Sequence, residues 1–375
     1  MSRYRFELAT PADDADLRAI LAATPMPGPI SVTFRREPSY FEAAVVEGGF
    51  RQVVACRDTS SRRLVGFGAR AIREVFVNGR ATSIGYLSSL RLLEPHRNQG
   101  LVARGYAFFR RLHTDNRTPL YLTTIAAGNA RALAILTAGR AGLPAYHYSG
   151  DYQTAAIAMP AGKRRPLRSA AGGKDLEIRL AKREDLAALM GFLQDVGPRR
   201  QFFPCYTAED FFTEHGTFRG LHPQDILLAY KHGRLVGTLA GWDQQSFRQT
   251  VVEGYQGVLR CLRPVYNCWA RLRRHPRLSA TGESIRYVMA ALLAVADDNP
   301  AVFRALLEAL LGRVAVGRTD YLLIGLHEAD PLLPVVRAYR PTWYTTRLYI
   351  ACWEDGEKLR AALDSRCPYL ELGCL

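Results

Sequence analysis

An internal repeat limits the possible folds of this sequence more than any other feature. Arg63-Leu64-Val65-Gly66 returns as Arg234-Leu235-Val236-Gly237, about 171 residues later. Each copy follows an apolar run, at 52–56 or 226–230, across a polar turn, and each therefore predicts a β-hairpin. Two copies are too few for a solenoid, and 375 residues are enough for two domains. The repeat therefore predicts a tandem duplication of one domain.

Two further pairs of segments extend the repeat and indicate an insertion. Residues 6–17 and 178–186 each predict a short strand followed by an acidic helix start, which suits the positive end of a helix dipole. Residues 119–125 and 320–326 each predict a buried strand after a helix, at a larger offset of about 200 residues. The growth in offset predicts an insertion of roughly 30 residues in the second half, at about 243–282.

The repeat divides the chain into four parts. Residues 1–160 form the first predicted domain, and residues 161–175, with their Pro, Gly and basic residues, are typical of an exposed linker. Residues 176–355 form a second, degenerate copy that carries the insertion as a basic helical segment, and residues 356–375 form a C-terminal tail.

The composition limits the compartment and the class of partner. A net charge of +15 favours nucleic acid, acidic membranes or phosphorylated cofactors, although an Arg-rich composition without functional meaning is the alternative. The seven Cys include no CxxC pair, which argues against a disulfide framework and against a zinc site. The N-terminal segment lacks the apolar core of a signal peptide, and no run of about 20 apolar residues is free of charge. A cytoplasmic protein without a metal is expected.

A strand–turn–helix junction in the first half is suited to bind an anion. Residues 83–93 predict a long strand that Pro95 ends, and residues 97–105, which begin with Arg97-Asn98-Gln99-Gly100, then open a helix predicted over 106–113. A helix N-terminus offers unpaired N–H groups and the positive end of the dipole, and Gly lets the backbone approach a ligand closely. The junction therefore predicts a pyrophosphate site; a helix start with a solvated Arg is the alternative.

The order of elements around this junction resembles that of the GNAT acyltransferase superfamily. A strand, the Arg-x-x-Gly turn, a helix and a strand are followed by Asn129 and a further helix, with Gly142-Leu143 after it. The superfamily signature is Arg/Gln-x-x-Gly-x-Gly/Ala, and this sequence departs from it at the last position, where Val102 stands. The Val N–H is as good a donor, but its side chain is expected to crowd the phosphates. The resemblance covers residues 4–159, and in the second half it rests on the element order and the repeat.

The resemblance implies an α/β (α+β) fold of two tandem GNAT-like domains, each a mixed, mostly antiparallel sheet flanked by helices. It implies that acetyl-CoA or another acyl-CoA binds as co-substrate, without a metal, between residues 90–92 and 121–125. Backbone groups of Leu90 and Leu92 would pair with the pantetheine amides, and Asn129 would contact the cofactor arm. The implied pyrophosphate site consists of Arg97, Asn98, Gln99, Gly100, Leu101, Val102 and Ala103.

The second half is predicted to have lost this site. Asp297 and Asp298 stand at the matching place, without a Gly, and two carboxylates would repel a pyrophosphate. The sequence Asn299-Pro300 is typical of a helix cap with Pro in the first turn; a carboxylate pair that acts as a general base is the alternative. The second half is therefore interpreted as a non-catalytic copy that shapes the substrate cleft.

The resemblance does not supply the catalytic acid and base. GNAT enzymes often use a Glu on the long strand and a Tyr late in the helix after the Asn, and this sequence has neither at those positions. Glu94, just beyond the strand, and Tyr146 and Tyr148, just after that helix, are the predicted substitutes. Aromatic packing within a strand is the alternative for both tyrosines.

The insertion combines apolar positions at roughly helical spacing with a basic remainder. The apolar positions are Tyr255, Val258, Leu259, Leu262, Val265, Tyr266, Trp269 and Leu272, and the basic ones are Arg260, Arg263, Arg271, Arg273, Arg274 and Arg277. Such a helix can bind an anionic membrane or nucleic acid. Packing on its own domain or on a second subunit is the alternative.

These features favour an N-acyltransferase that moves an acetyl or acyl group from acyl-CoA to a primary amine of a small-molecule or peptide acceptor. Nucleic acid is not expected as a partner, whereas peripheral membrane contact through the insertion and a homodimer stay open. One alternative is a catalytically inactive acyl-CoA-binding or regulatory protein. Another is an aminoacyl-tRNA-dependent transferase of the peptidoglycan-bridge type, against which the intact anion site argues.

Overall fold

The computed structural model describes residues 2–139, 142–159, 175–315 and 319–375, and these contain fourteen strands and nine α-helices. The strands are β1 (Tyr4–Leu8), β2 (Ile30–Arg35), β3 (Phe50–Asp58), β4 (Leu64–Val77), β5 (Arg80–Leu92), β6 (Tyr121–Ala126), β7 (Ala145–Ala158), β8 (Leu176–Leu180), β9 (Ile226–Lys231), β10 (Arg234–Trp242), β11 (Gln249–Tyr255), β12 (Tyr287–Val295), β13 (Tyr321–His327) and β14 (Thr342–Cys352). The helices are α1 (Asp14–Ala23), α2 (Tyr40–Ala43), α3 (Leu101–His113), α4 (Ala130–Leu136), α5 (Leu186–Val196), α6 (Val258–Arg273), α7 (Pro300–Val314), α8 (Leu333–Arg337) and α9 (Glu357–Ala361).

Twelve of these strands form one sheet with a symmetric order. The order is β1-β3-β4-β5-β6-β14-β7-β13-β12-β10-β9-β8. Only the pairs β5–β6 and β12–β13 are parallel within it. The flank from β1 to β6 therefore matches the flank from β8 to β13, strand by strand. The predicted fold class, a mixed and mostly antiparallel sheet flanked by helices, is confirmed, and so are the two hairpins of the repeat, β3–β4 and β9–β10.

The two halves of the chain exchange a strand at the middle of the sheet. β14 comes from the second half, yet it pairs with β6 and β7 of the first. β7 in turn pairs with β13 of the second half. Each half therefore contributes one strand to the other, and hydrogen bonds run through the centre without a break. The predicted domain limits stay a prediction, and residues 161–174 of the predicted linker lie outside the described residues.

Helices cover the two faces of the first flank. Side chains alternate along a strand, so neighbouring residues enter different cores. Val54 packs with side chains of α3 and α4, whereas Val53 packs with α1 on the opposite face. In the second flank, α5 and α7 cover the sheet and contribute to one large core. The sheet of the first flank therefore has two faces. Helices α3 and α4 pack on one, which we call the α3–α4 face, and α1 packs on the other, which we call the α1 face.

The insertion and the C-terminal segment both contact distant parts of the chain. β11, within the predicted insertion, pairs with β2 of the first half in a separate two-stranded sheet. α6 follows β11 and lies on the surface, at the place where helical spacing was predicted. The segment predicted as a tail contains α9 and, after it, the buried side chains of Tyr369, Glu371 and Cys374.

Candidate functional site

A gap opens between β5 and β6 in the middle of the first flank. The parallel pairing of these strands consists of Gly85 with Tyr121 and Tyr86 with Leu122. Beyond that point β6 continues against β14, while β5 stays paired with β4. Within the described part of the chain, the edge of β5 that faces β6 is thereby left without a strand partner from Leu87 onward. Unpaired strand edges of this kind can bind an extended ligand through its amide groups.

A β-bulge directs β5 away from β6. Phe67 and Ala69 of β4 lie opposite Arg91 and Ser88, so two residues of β5 occupy the space of one. Ser89, at the bulge, has a φ of 57°, which is uncommon for a residue with a side chain. A bulge bends its strand and increases the local twist, and here it helps to open the gap.

The predicted anion site, which consists of the loop after β5 and the start of α3, lies at the wide end of the gap. Gly100 precedes the first turn of α3 with a φ of 67°, and open space surrounds the place where a Cβ would lie. Among the described residues no side chain caps this helix N-terminus, and its first turn contains no acidic residue. The N–H groups of the first turn therefore face outward with the positive end of the helix dipole. Arg97 lies within this loop, three residues before Gly100.

A hydrogen bond joins the two sides of the anion site. Arg131, in the first turn of α4, donates through Nη2 to Oδ1 of Asn98 at 2.7 Å. Asn129 caps the same helix, since its side-chain oxygen accepts from the N–H of Ala132 at 3.1 Å. The sequence analysis missed Arg131, and the only signal for it was its place two residues after Asn129. Two guanidinium groups, those of Arg97 and Arg131, thus flank the site.

Two of the predicted cofactor residues have partners within the protein. The carbonyl oxygen of Leu92 accepts from Nε of Arg97 at 3.2 Å, which holds the start of the loop against the end of β5. The side chain of Val102 packs against the hydrophobic cluster of Leu87, Tyr106 and their neighbours. The isopropyl group is thus directed into the apolar layer under α3, which explains how Val fits at the last position of the signature.

The second flank repeats this geometry without an open anion site. β12 has a bulge with Leu292 at a φ of 52°, and its parallel pairing with β13 covers only three residue pairs. At the start of α7, however, the side chain of Asn299 accepts from the N–H groups of Ala301 and Val302, and Pro300 is the first helical residue. The predicted helix cap is confirmed.

In the second flank, arginine side chains occupy the place beside the start of α7 that corresponds to the predicted anion site of the first flank. Arg199 pairs with Asp297, and Arg200 pairs with both Asp298 and Asp330. Arg200 lies 2.8 Å from Asp330, which is buried. The carboxylates that would repel a phosphate are therefore neutralised from within the chain.

A buried carboxyl group from the C-terminal segment closes the second gap. Oε2 of Glu371 accepts from the N–H of Leu292 at 3.0 Å, from the Tyr369 hydroxyl at 2.9 Å and from the Tyr206 hydroxyl at 3.2 Å. Burial raises the pKa of Glu371, which the three donors only partly offset. The segment that was predicted as a tail thus occupies the space that stays open beside β5.

On the α1 face, a tyrosine marks the point where β5 and β6 part. The hydroxyl groups of Tyr86 and Thr124 form a hydrogen bond of 2.7 Å between the two strands. Burial raises the pKa of Tyr86 to about 12, so its phenol stays protonated at neutral pH. The sequence analysis missed Tyr86, because a half-buried aromatic residue in a strand has the pattern of a packing residue.

A cluster of buried charges lies close to Tyr86 on this face. Arg36 and Arg248 both donate to Oε1 of Glu47, the second at 2.8 Å. Arg36 also donates to the Ser89 hydroxyl of the bulge at 3.4 Å, and its Nη1 is buried with no hydrogen-bond partner among the residues that the structure describes. The α1 face of the gap is therefore polar, although the sheet around it is apolar.

The predicted catalytic tyrosines lie on the α3–α4 face. The Tyr146 hydroxyl is hydrogen-bonded to the Tyr106 hydroxyl of α3, and burial raises the pKa of Tyr146 well above its usual value. Tyr148 is exposed and donates to Oδ1 of Asp151 at 2.9 Å; burial and that carboxylate raise its pKa to about 12. Both side chains also contact the ring of Tyr349, as the packing alternative predicted.

The position of β7 separates these tyrosines from the gap. β14 lies between β6 and β7 in the sheet, which places the backbone of β7 about 10 Å from that of β6. Tyr146 contacts α3 through Tyr106, whereas Tyr148 has no such contact to α3 among the described residues. Glu94 is exposed in the turn after β5, where its carbonyl oxygen accepts from the N–H of Arg97. The roles of all three stay predictions.

One group of side chains has donor atoms suited to a metal ion. Donor atoms of His147, Cys352 and Glu357 lie within 4.8 Å of one another. His147 and Glu357 are joined at 2.7 Å, and Arg360 donates to the other carboxylate oxygen of Glu357 at 2.9 Å. This carboxylate is therefore already paired with a histidine and a guanidinium group. These contacts explain why the three side chains lie close together.

Comparison of the structure with solved structures shows what fold this chain has. Saccharomyces cerevisiae N-myristoyltransferase, with bound myristoyl-CoA, is 13% identical with a TM-score of 0.59, over 94% of this chain and 83% of that one. A GCN5-related N-acetyltransferase from Sphaerobacter thermophilus is 12% identical with a TM-score of 0.58, over 100% and 99%. A GCN5-related glucosamine N-acetyltransferase region of a fungal multi-domain protein is 14% identical with a TM-score of 0.59, over 92% and 38%.

The similarity to these proteins is structural. No family model matches the sequence, and no curated protein is similar to it in sequence. The chain has the fold of the GNAT superfamily over almost its whole length, as its element order predicted.

Proposed function

We propose that this protein is an acyl-CoA-dependent N-acyltransferase that binds its co-substrate in the gap between β5 and β6. The observation that carries this proposal is that two features suited to the two parts of CoA lie next to each other. An unpaired strand edge can bind the two amides of pantetheine, and at its wide end an uncapped helix N-terminus can bind a pyrophosphate. The second flank has a similar bulge, but its helix is capped and its gap is occupied, so one co-substrate per chain is expected.

Each end of the co-substrate would have its own contacts. The N–H groups of Gln99, Gly100, Leu101, Val102 and Ala103 would bind the pyrophosphate. Arg97 and Arg131 add positive charge on the two sides of the loop. The N–H of Leu90 and the backbone of Leu92 would pair with the pantetheine amides, and Asn129 would contact the pantetheine arm. The thioester would then lie near Tyr86, where the two strands meet.

The chemistry requires two proton transfers. The neutral amine nitrogen of the acceptor attacks the thioester carbonyl carbon, a C–N bond forms and the C–S bond breaks. One proton leaves the amine, and one goes to the departing thiolate of CoA. A tyrosine with a pKa of about 12 keeps its proton at neutral pH, so Tyr86 is suited to donate to the thiolate and not to act as the base. Tyr146 is the corresponding candidate on the α3–α4 face, and Tyr148 and Glu94 are the further candidates from the sequence.

A matched pair of glycine variants tests the binding site. Gly100 and Gly233 both have a positive φ, 67° and 74°, and open space where a Cβ would lie. Gly233 lies in the turn between β9 and β10, so Gly100→Asp and Gly233→Asp introduce the same charge and comparable backbone strain at different places. We expect Gly100→Asp to weaken acetyl-CoA binding by at least about tenfold in calorimetry, because the carboxylate repels the pyrophosphate. Equal affinities of the two variants would contradict the assignment of the anion site.

A turnover assay separates the enzyme from a binding protein. The wild-type chain would be incubated with acetyl-CoA and longer acyl-CoAs, each with a panel of primary amines, and free thiol would be measured. Release of CoA that depends on both amine and acyl-CoA supports the transferase. Tight acyl-CoA binding with no amine-dependent thiol release for any acceptor would support a binding or regulatory protein instead.

A further inference from the structure

The apolar face of α6 points into the solvent. Five large side chains of this helix are between 45% and 80% exposed: Val258, Leu262, Val265, Trp269 and Leu272. Their spacing alternates between four and three residues, which places them on one continuous stripe. The stripe extends along the full length of the helix, about 24 Å for 16 residues. A contiguous exposed stripe of this size is typical of a docking surface.

The other side of α6 attaches the helix to the protein. Ala270 is buried, and the Asn267 side chain exchanges hydrogen bonds with the backbone of Leu278, at 2.8 and 3.0 Å. Nε of Arg263 donates to the same Leu278 carbonyl, and the Tyr266 hydroxyl donates to the carbonyl of Pro276. The inward side is therefore held by polar contacts, and the apolar stripe is not needed for the packing of the helix.

The charged residues of α6 are all basic and lie mostly on the face away from the stripe, and acidic residues are absent from the whole segment. No Asp or Glu occurs in the sequence from 254 to 282. The exposed cations are Arg260, Arg271, Arg273, Arg274 and Arg277. Trp269, within the stripe, is stacked on His275, with 5.2 Å between the ring centroids. A helix with an apolar stripe that contains a tryptophan, and with a polar face rich in arginine, is the arrangement that binds the interface of a bilayer.

We propose that α6 docks this protein onto the surface of an anionic phospholipid bilayer. The helix would lie in the plane of the interface, with the stripe inserted among the acyl chains near the headgroups and the arginines beside the lipid phosphates. Within the described residues, no helix has the length and apolarity that a membrane crossing requires. The protein would therefore dock reversibly, and this does not depend on what binds between β5 and β6.

The charge pattern favours a bilayer over the two other occupants. In a symmetric dimer through α6, the arginines of one copy would face those of the other, and no acidic residue of this segment would compensate them. Nucleic acid would pair with the arginines but would leave the apolar stripe in water. An anionic bilayer complements both the charge and the apolar surface.

Flotation of the full-length protein with vesicles tests the proposal. The vesicles would consist of phosphatidylcholine alone or of phosphatidylcholine and phosphatidylglycerol at about 3:1. We expect binding to the anionic vesicles, and weaker binding at high salt or to neutral vesicles, since salt screens the surface potential. We also expect the Trp emission to shift to shorter wavelength on binding, and Trp269→Phe to remove most of that shift.

Two variants separate the apolar and the electrostatic contributions. Leu272→Glu places a carboxylate on the most exposed position of the stripe and is expected to abolish flotation. The double variant Arg271→Glu with Arg273→Glu reverses two charges. Since each basic residue lost should weaken vesicle binding about fivefold, we expect this variant to bind about 25-fold more weakly or worse. The matched control is Arg183→Glu with Arg234→Glu, two exposed arginines outside the insertion. Circular dichroism would verify that all variants fold.

Three results would overturn the proposal. The first is a wild-type protein that does not float with anionic vesicles at low salt. The second is a Leu272→Glu variant that floats as well as the wild type. The third is a concentration-dependent dimer, or a complex with an oligonucleotide, that Leu272→Glu abolishes while vesicle binding is undetectable, because the stripe would then belong to a protein or nucleic-acid interface.

Discussion

Ser89 in β5 and Leu292 in β12 occupy equivalent bulges, with φ values of 57° and 52°, about 203 residues apart in the sequence. Both have a side chain in a backbone region that favours Gly, which costs on the order of 1 kcal/mol. The two bulges nevertheless have different surroundings. The N–H of Leu292 donates to Glu371, whereas the Ser89 hydroxyl accepts from Arg36 at the edge of an open gap.

The two flanks therefore share a backbone shape but differ in the polar groups that a ligand could reach. The bulge and the parting of the strands are backbone features, and both flanks have them. Ligand binding also needs an uncapped helix N-terminus and an empty gap. Asn299 caps α7, and Glu371 occupies the second gap, so internal groups satisfy the polar atoms that a ligand would otherwise bind.

Arg200→Ala is expected to destabilise the protein far more than Arg199→Ala. Arg200 is largely buried and pairs with Asp298 and with the buried Asp330, so its removal leaves a buried carboxylate without a partner. We expect the free energy of unfolding to fall by about 3 kcal/mol. Arg199 and Asp297 form an exposed pair, for which the loss should stay below about 1 kcal/mol. Urea denaturation measures both, and similar losses would show that this interaction network does not stabilise the second flank.

Arg131→Ala is expected to weaken acyl-CoA binding, since Arg131 places a guanidinium group beside the anion site through Asn98. Removal of one charge-assisted contact should raise the Kd by about five- to tenfold at low salt. Arg110→Ala is the control, because Arg110 lies in the last turn of α3, at the end of that helix away from the anion site, and pairs with Glu354. If both variants bind acyl-CoA with the wild-type affinity, Arg131 only holds the loop in place.

The sequence predicted those features that local patterns determine. Polar turns between apolar runs predicted both hairpins, and Asn299-Pro300 predicted the capped start of α7. Residues 97–105 predicted the opening of a helix, although α3 begins at Leu101 and not at the predicted 106. The apolar spacing predicted α6, but a periodic stripe does not reveal what covers it, and here the stripe faces solvent.

The features that sequence could not predict depend on distant pairs. β7 and β14 pair with strands of the other half, although other strands have a similar composition. No local sequence pattern distinguishes the observed partner from these others. The bulge at Ser89 has no signal either, since Ser does not favour a positive φ. Tyr86 was missed because its possible chemical role depends on its position at the point where β5 and β6 part. The sequence does not reveal where that point lies.

Tyr86→Phe is expected to lower kcat about 100-fold without changing the Kd for acyl-CoA, because it removes a proton donor and leaves the anion site intact. The matched control is Tyr287→Phe, which removes the same kind of pair, a hydroxyl hydrogen-bonded to Thr250 at 2.9 Å, in the second half. The wild-type kcat should not decline from pH 7 to pH 10, since the pKa of Tyr86 is about 12. An unchanged kcat in Tyr86→Phe, with a large loss in Tyr146→Phe, would transfer the role to the α3–α4 face.

Glu371→Gln is expected to change how stability depends on pH. Burial raises the pKa of Glu371, so the folded state binds its proton more tightly than the unfolded state. The stabilisation is complete below the unfolded pKa of about 4.5 and is lost as the pH rises through the higher folded value. Gln keeps the shape and stays neutral, so the variant should gain stability relative to the wild type from pH 5 towards pH 8. Urea midpoints at several pH values measure this, and a constant difference would mean that Glu371 is charged in the folded protein throughout.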